Sequence, residues 1–518
     1  MCKPFRGHPF SPSFLYTPAK AGSGLEYSCC PRTGKNMIKL LYAFVASILL
    51  CSSISVVAEN KLVFPASKIE KQTRNYLLDS SIKTNDAALK LVKPEYLADT
   101  LLSLLAEPSK SCQETATTNK AREILLQVAS PLAIKVSIDD LPKQLAQMSS
   151  EKRKALSCNS GKTAPESGNL IAFIPGNIAA PSWNLSFHLD TNQLSFEGIK
   201  LDGDTISPAA NTPLGADDKA GIAIVAEVLR IIAENKIEHG DIRIVGLVAE
   251  EDSAVGAELI EAEAFKGDIL VSIDGTDPDE IGRAAPAMYN GYITVSSQTS
   301  HPAEVDSKQS VSACAVGSQI LHEAGFRADA HPPGHPNVVL HSYFISCGIN
   351  KRKLTAKGEP VADYQYNTIS PFWSAAWQMR NLEGNEAAQK MVLDLEKTVH
   401  RICAEAGRNR TKLKCDITGV NEAKLSGYIV AEESASIQLL KTGFERTGDD
   451  VVRITAKQFG GFNGNLIKAR FDEEMVIVGT GADQIHTNEE TISVAGMTRV
   501  ARGLLASMLE SYRYRVVD

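Results

Sequence analysis

Apolar positions along the chain fall into three textures. In residues 59–160, "PEYLADTLLSLLAE" and "TTNKAREILLQVA" repeat apolar side chains every three to four residues, so this stretch is expected to be mainly helical. After Gly168 short apolar runs alternate with longer amphipathic ones. "NLIAFIPG", "NLSFHLD", "DIRIVGLVAEE" and "GDILVSIDG" read as strands, "AGIAIVAEVLRIIAEN" and "GAELIEAEAF" as helices. Strands alternating with helices predict an α/β fold with a doubly wound, mostly parallel sheet. Near Ala285 the texture changes again. "YITVSSQTS", "NVVLHSYFISCG" and "SPFWSAAWQMRN" read as strands, and "SVSACAVGSQILHEAGF" and "NEAAQKMVLDLEKTVHRICAEAG" as helices, an α+β module of about 140 residues. The α/β texture then returns in "AKQFGGFNGNLIKAR", "EEMVIVGTGADQIHT" and "VAGMTRVARGLLASMLESY". The simplest organisation is one domain in two parts, 59–284 and 426–518, interrupted by an inserted module at 285–425.

Residues 1–58 do not read as domain material. The first 36 lack periodicity and are rich in Pro, Gly and Ser. Then Lys39 precedes the apolar run Leu40–Leu50, and Val56-Val57-Ala58 forms a small-residue cleavage signal. This is the pattern of a secretory signal peptide, with Met37 as an alternative start. The run is short for a membrane span, so an uncleaved anchor is the lesser alternative. Cys51 follows Leu49-Leu50, bulky residues that argue against a lipoprotein site.

Export changes the meaning of the cysteines. Of ten, Cys2, Cys29, Cys30 and Cys51 lie in the leader and six remain. An even number in an oxidising compartment predicts disulfides. Cys112–Cys158 and Cys403–Cys415 are the expected pairs, and Cys314, in an apolar helical run, reads as a small buried hydrophobe. The chain of 518 residues is 43% hydrophobic and 22% charged, with room for two or more domains. A net charge of -7 with no basic stripe excludes a nucleic-acid binder.

The polar clusters fall where an open α/β sheet binds ligands, beyond the carboxyl ends of strands. "NLSFHLDT" ends in His188 and Asp190, "DIRIVGLVAEE" in Glu250 and Glu251, "GDILVSIDG" in Asp274. "LGADDKAG" places Asp217 in the loop entering a helix, and His486 follows the strand of "VIVGTGADQIHT". Taken singly, each has a plain structural use: Asp217 as a helix cap, His188 as a core histidine, Glu250 and Glu251 as solvated carboxylates. Together they bring two histidines and several carboxylates to one edge. Gathered like charges need a counter-charge, and mixed His/carboxylate ligation suits zinc. One zinc takes about three protein ligands; the surplus here points to two ions sharing a carboxylate.

These motifs, "HLD", "GADDKAG", "AEED", the Asp of "SIDG" and a late "IHT", resemble the di-zinc metallopeptidases that include peptidase T, acetylornithine deacetylase and glutamate carboxypeptidase. The resemblance covers about residues 97–510, and "GADDKAG" and "GTGADQIHTNEE" look most like the peptidase T branch. It implies that His188, Asp217 and Asp274 hold one Zn2+, and that Asp217, Glu251 and His486 hold the other, with Co2+ or Mn2+ as substitutes. Asp190 would fix the His188 tautomer, and Glu250 would be the general base. The inserted module becomes a lid or dimerisation domain. Its His301, in "TSHPA", would stabilise an oxyanion across a homodimer interface. Arg380, in "QMRNLEG", would grip a substrate carboxylate. Asn463, in the substrate loop "GGFNGN", stands where the family commonly has Asp.

The resemblance implies an exported zinc aminopeptidase acting on short peptides. An N-acyl-amino-acid deacylase or carboxypeptidase is the alternative on the same scaffold. A zinc-binding protein without turnover is the alternative of another class, against which Glu250 speaks. Residues 59–96 precede the family's usual start, and "HLDTNQ" lacks the usual proline-containing continuation. His331, His335 and His341 read as a Pro/His-rich loop, with an extra metal site as the lesser alternative.

Overall fold

The computed structural model describes residues 60–192, 196–298, 300–304, 310–347, 369–408, 412–421, 423–447, 452–456 and 460–517. The proposed leader and its four cysteines lie outside them. All described residues belong to the unit Ser53–Asp518.

Residues 59–160 are not purely helical. They open with two strands, β1 (Lys61–Phe64) and β2 (Arg74–Leu78), before the expected helices α1 (Pro94–Leu105) and α2 (Thr115–Ala129). Each strand is too short for period-2 alternation to show, and its support comes from far away. The β1–β2 hairpin pairs with the last strand of the chain, Tyr514–Val516. It is fastened to the main body where Tyr76 Oη and Ser182 Oγ donate to Asp268 at 2.9 and 2.7 Å.

The main sheet then follows. β3 (Lys135–Ile138) and β4 (Leu170–Ile174) run antiparallel at one edge. β5 (Trp183–His188), β6 (Ile242–Leu247) and β7 (Ile269–Gly275) form its centre. β8 (Glu280–Gly282) lies beyond them. Every residue of β5 is buried, as expected of a parallel strand covered on both faces. Between β5 and β6 runs the crossover helix α3 (Ala216–Glu234), nearly all of it buried beneath the sheet and its neighbouring helices. The expected helix "GAELIEAEAF" is instead one short helix, Val255–Leu259, and a 3-10 turn, Ala262–Phe265, separated by extended backbone at Ile260 and Glu261.

The chain next builds a separate antiparallel sheet. Its strands are β9 (Ala287–Ser296), β10 (Val338–Cys347), β11 (Phe372–Asn381) and β12 (Lys414–Ile417), in the order β10-β11-β9-β12. Helices α4 (Ala313–Glu323) and α5 (Asn385–Ala406) pack on it. A hydrophobic core from residues 287–420 holds this layer together. A larger core draws on residues 62–285 and again on 428–514.

On its return the chain forms α6 (Ala435–Arg446), β13 (Arg453–Thr455), α7 (Asn463–Phe471), β14 (Val476–Gly479) and α8 (Val494–Ser511), then the closing strand β15 (Tyr514–Val516). The eight-stranded sheet reads β13-β8-β14-β7-β5-β6-β4-β3. β14, β7, β5 and β6 are mutually parallel and central, so their carboxyl ends share one edge.

Both expected disulfides form, Cys112–Cys158 and Cys403–Cys415, each with Cα atoms 6.0 Å apart. The reading of Cys314 as a free buried hydrophobe is corrected: it is bonded to Cys347, Cα to Cα 5.5 Å. The buried face of α4 is Ala313, Val316, Gly317 and Ile320, which leaves Cys314 off that stripe and beside the end of β10. His331, His335 and His341 do not converge. His331 Nδ1 bonds the Val338 carbonyl and His341 faces Gln378. Among the described residues no helix is long and apolar enough to cross a membrane.

Helices α6 and α8 touch backbone to backbone. A Cβ at Gly443 would stand 2.3 Å from the Ser507 nitrogen, and one at Gly503 would meet the Phe444 ring at 2.6 Å. Gly443→Ala forces these helices apart and is expected to cost about 1–3 kcal/mol. Urea unfolding measures it; an unchanged midpoint would refute so close a crossing.

Candidate metal centre

The four central strands deliver their polar ends to one place. His188 closes β5, Asp274 lies near the end of β7, Glu250 and Glu251 follow β6, and His486 follows β14. Asp217 sits in the first turn of α3. His188 Nε2 is 3.2 Å from Asp217 Oδ1 and 3.4 Å from Asp274 Oδ1. His486 Nε2 is 3.1 Å from Asp217 Oδ2 and 2.7 Å from Glu251 Oε1. Asp217 thus turns one oxygen to each histidine. All five residues expected to bind metal come together, in two sets that share Asp217.

Asp218 has a different job. Its peptide link to Asp217 is cis. Its carboxylate accepts the His188 N–H and the Gly221 N–H, both at 3.1 Å. Asp218 also lies within ligand reach of His188 and Asp274. With both oxygens committed to backbone amides, it serves as a clamp between β5 and α3 more readily than as a ligand. Gly221 permits that approach: a Cβ there would stand 2.5 Å from Asp218 Oδ1 and 2.6 Å from the Ile273 carbonyl.

The histidine tautomer follows from its partner. His188 Nδ1 lies 2.8 Å from the Asp190 main-chain carbonyl, which can only accept, so Nδ1 carries a proton. The Asp190 carboxylate is farther from the ring, at 3.4 Å. It accepts instead the N–H groups of Glu250 and Glu251, at 2.9 and 3.0 Å. Residues not foreseen from the sequence do similar work. Buried Glu490 accepts the N–H groups of Gly215, Ala216 and Asp217 at 2.9, 2.8 and 3.2 Å, and so holds the turn that presents Asp217.

The electrostatics show what the site lacks. Burial alone would lower the His188 pKa, yet Asp274, Asp190 and Asp217 outweigh it and hold it well above the ordinary value. The facing oxygens of Asp217 and Glu251 push His486 up to about 10. Burial, partly offset by His188, pushes Asp274 up to about 6. Burial, then Asp274, drives Glu250 well above the usual carboxylate range. Asp217 goes the other way, held low by the two histidines against the cost of burial. One N–H on His188 Nε2 cannot point at two carboxylates at once, and buried Glu251 Oε1 touches His486 without the alignment of a hydrogen bond. Two divalent ions between these lone pairs would satisfy what protons leave unmatched.

A cleft of about 1000 Å³ opens over this centre. Arg380 and Asn463 both line it, and buried Asn463 Oδ1 has no hydrogen-bond partner among the described residues. Lys424 lines it too. Nothing in "NEAKLSG" marks that lysine; the bond from its N–H to the Met288 carbonyl, 2.7 Å, sets it on the cleft wall beside the β9–β11 pair. His301 is not among the lining residues. It is exposed, and its Nδ1 accepts the Ala303 N–H at 3.1 Å.

A doubly wound sheet with paired His/carboxylate sets at its carboxyl edge defines a dinuclear metallohydrolase. Residues 215–510 match the model of peptidase family M20/M25/M40, more than half of the chain, and the protein belongs to that family. Peptidase T of Clostridium acetobutylicum is 26% identical over 199 residues, covering 31% of this chain and 48% of that protein. The matched stretch spans less than half the length of such curated relatives. Among solved structures, aminopeptidase PepT from Bacillus cereus superposes with a TM-score of 0.64 at 20% identity, over 82% of this chain and all of that one. A dinuclear metal binding peptidase of the same family from Bacillus subtilis gives 0.53 at 16% identity, over 80% of this chain and 97% of that one. The likenesses place the fold with the peptidase T-like branch.

Two predictions follow from the shared aspartate and the raised histidines. Asp217→Ala loses both metals together, read as metal content per chain after dialysis; one full equivalent retained would exclude a bridge. Metal must also displace protons. His486, with a pKa near 10 before metal binds, is protonated at neutral pH and sheds that proton to become a ligand. Apparent metal affinity therefore rises with pH below that value, by up to about tenfold per unit for each proton released. Calorimetry in buffers of different ionisation heat counts the protons, and a pH-independent affinity would contradict the assignment.

Proposed function

We propose that this protein is an exported two-zinc aminopeptidase that removes the first residue of short peptides. The observation that carries the reading is Asp217, with one oxygen toward each histidine, in a cleft that also holds Glu250. The His/carboxylate donor set favours zinc. His188, Asp217 and Asp274 would hold one ion, and Asp217, Glu251 and His486 the other. Such ions, held there, would supply Lewis acidity toward a water and the scissile carbonyl.

The chain's own groups do the rest. Glu250 takes a proton from the attacking water and returns it to the departing amine. Asp190 keeps Glu250 in reach by accepting the Glu250 backbone N–H on its carboxylate, and keeps His188 in one tautomer through its main-chain carbonyl. Arg380 receives the carboxylate of a short peptide, and Asn463 adds a polar contact from the facing wall. His301 reaches an oxyanion only from a second copy of the chain, so the reading includes a homodimer through the inserted module. Export rests on the leader pattern of residues 37–58 and is supported by the three disulfides.

Glu250→Gln is expected to keep both metals and lose about 10²–10⁴-fold in kcat. The assay is mass-spectrometric product analysis on free tripeptides and their N-acetylated twins. Release of the first residue from free peptides alone supports the aminopeptidase. Cleavage confined to acylated peptides replaces it with a deacylase. No cleavage by metal-loaded protein, or undiminished turnover in the variant, overturns the reading.

A further inference from the structure

The segment 249–253 carries Glu250 and Glu251, yet much of what fixes its position comes from outside the sheet. On one side stands Glu114, fully buried, whose Oε1 accepts the N–H groups of Cys112 and Ala249 at 2.7 and 2.9 Å. Next to it Ser111 Oγ donates to Asp190 Oδ2 at 2.7 Å, and Asp190 accepts from Glu250 and Glu251. On the other side Asn159 N–H donates to Asp252 Oδ2 at 2.7 Å, and Cys158 Sγ lies 3.6 Å from Ser253 Oγ. Both grips belong to one covalent unit, because Cys112 and Cys158 are the two halves of a disulfide.

The cysteine side of that unit cannot hold itself in place. Residues 158–161 form a helix of one turn, and the preceding helix Ser150–Ala155 buries no side chain. A segment with so few apolar contacts opens easily unless something fixes it. The disulfide joins it to the strip of buried Ser111, Cys112 and Glu114, across 46 residues of chain.

We infer that Glu114 and the Cys112–Cys158 disulfide are positioning elements for the Glu250–Glu251 segment, so that the site reaches its working geometry only in an oxidising environment. This rests on the proposed roles of Glu250 and Glu251. Glu114 touches no substrate; it acts through the Ala249 amide and the strip it shares with Asp190.

The test uses the full chain as purified, with metal content recorded, and reads two quantities. One is hydrogen exchange at the amides of residues 249–251, which needs no activity. The other is kcat and KM on a tripeptide. In E114A the Ala249 amide loses its acceptor, and in C112A/C158A the strip that carries Glu114 is released, so exchange across 249–251 is expected to rise about tenfold or more in both. In both, kcat falls about tenfold with KM within about threefold, since a misplaced base costs the chemical step more than binding. E114Q restores both readings, because its amide oxygen accepts the same two N–H groups. C403A/C415A, in the other core, moves neither. Exchange and kcat within about twofold of wild type in both E114A and C112A/C158A would overturn the proposal. Should C112A/C158A fail to fold, the contrast between E114A and E114Q decides it. If the wild type cleaves no peptide, the functional reading fails while the exchange result still judges the brace.

Discussion

The rest of the site depends on one constraint: several carboxylates converge on a buried spot where they repel one another. In water such charges would separate. Here the parallel strands leave them nowhere to go, since β5, β6, β7 and β14 end side by side. The protein secures this crowding with backbone amides. Asp218, Asp190 and Glu490 each spend their carboxylate oxygens on N–H groups of the segments that bear His188, Glu250, Glu251 and Asp217. Such charge-assisted bonds are stronger than neutral ones and cannot be replaced by water in a dry interior. Three carboxylates thus act as scaffold so that the others can remain free to bind.

The inserted layer supplies what that edge lacks, positive charge above the floor. Arg380 stands on β11 opposite Met288 of β9, and Lys424 is pinned to the Met288 carbonyl, so one cross-strand pair sets two cations on the wall. The cleft is thus anionic at its floor and cationic at its wall.

How much of this was legible in the sequence depends on what each feature requires. The strands and α3 announce themselves by apolar period, and the ligands by standing at strand ends. Four of the five stand at strand ends, where topology alone predicts proximity, and Asp217 joins them from the first turn of the crossover helix. Features made by partners distant in the chain were not legible. The β1–β2 hairpin exists because β15 pairs with it, about 440 residues later in the chain. Cys314 looked apolar because its neighbours are, and only the packing of α4 on β9 and β11, with β10 next in the sheet, brings it to Cys347. Glu114 and Glu490 carry no motif, since an acceptor of backbone N–H groups needs only a carboxylate in the right place. Asp190 was read through its side chain, but it is the main-chain carbonyl that lies nearer the His188 ring.

The same crowding ties the base to the metals. Without cations, burial and Asp274 drive the Glu250 pKa up, and a protonated Glu250 can take no proton from water. Cations beside Asp274 and Glu251 would cancel the repulsion that holds that proton, leaving burial as the remaining upward pull. On the proposed reading, Glu250 would then become a competent base only when the centre is loaded. The protons lost from the histidines on metal binding and the proton lost from Glu250 answer to one field. On the proposed reading, the charge that would attract the metals is also the charge that holds a proton on Glu250 without them.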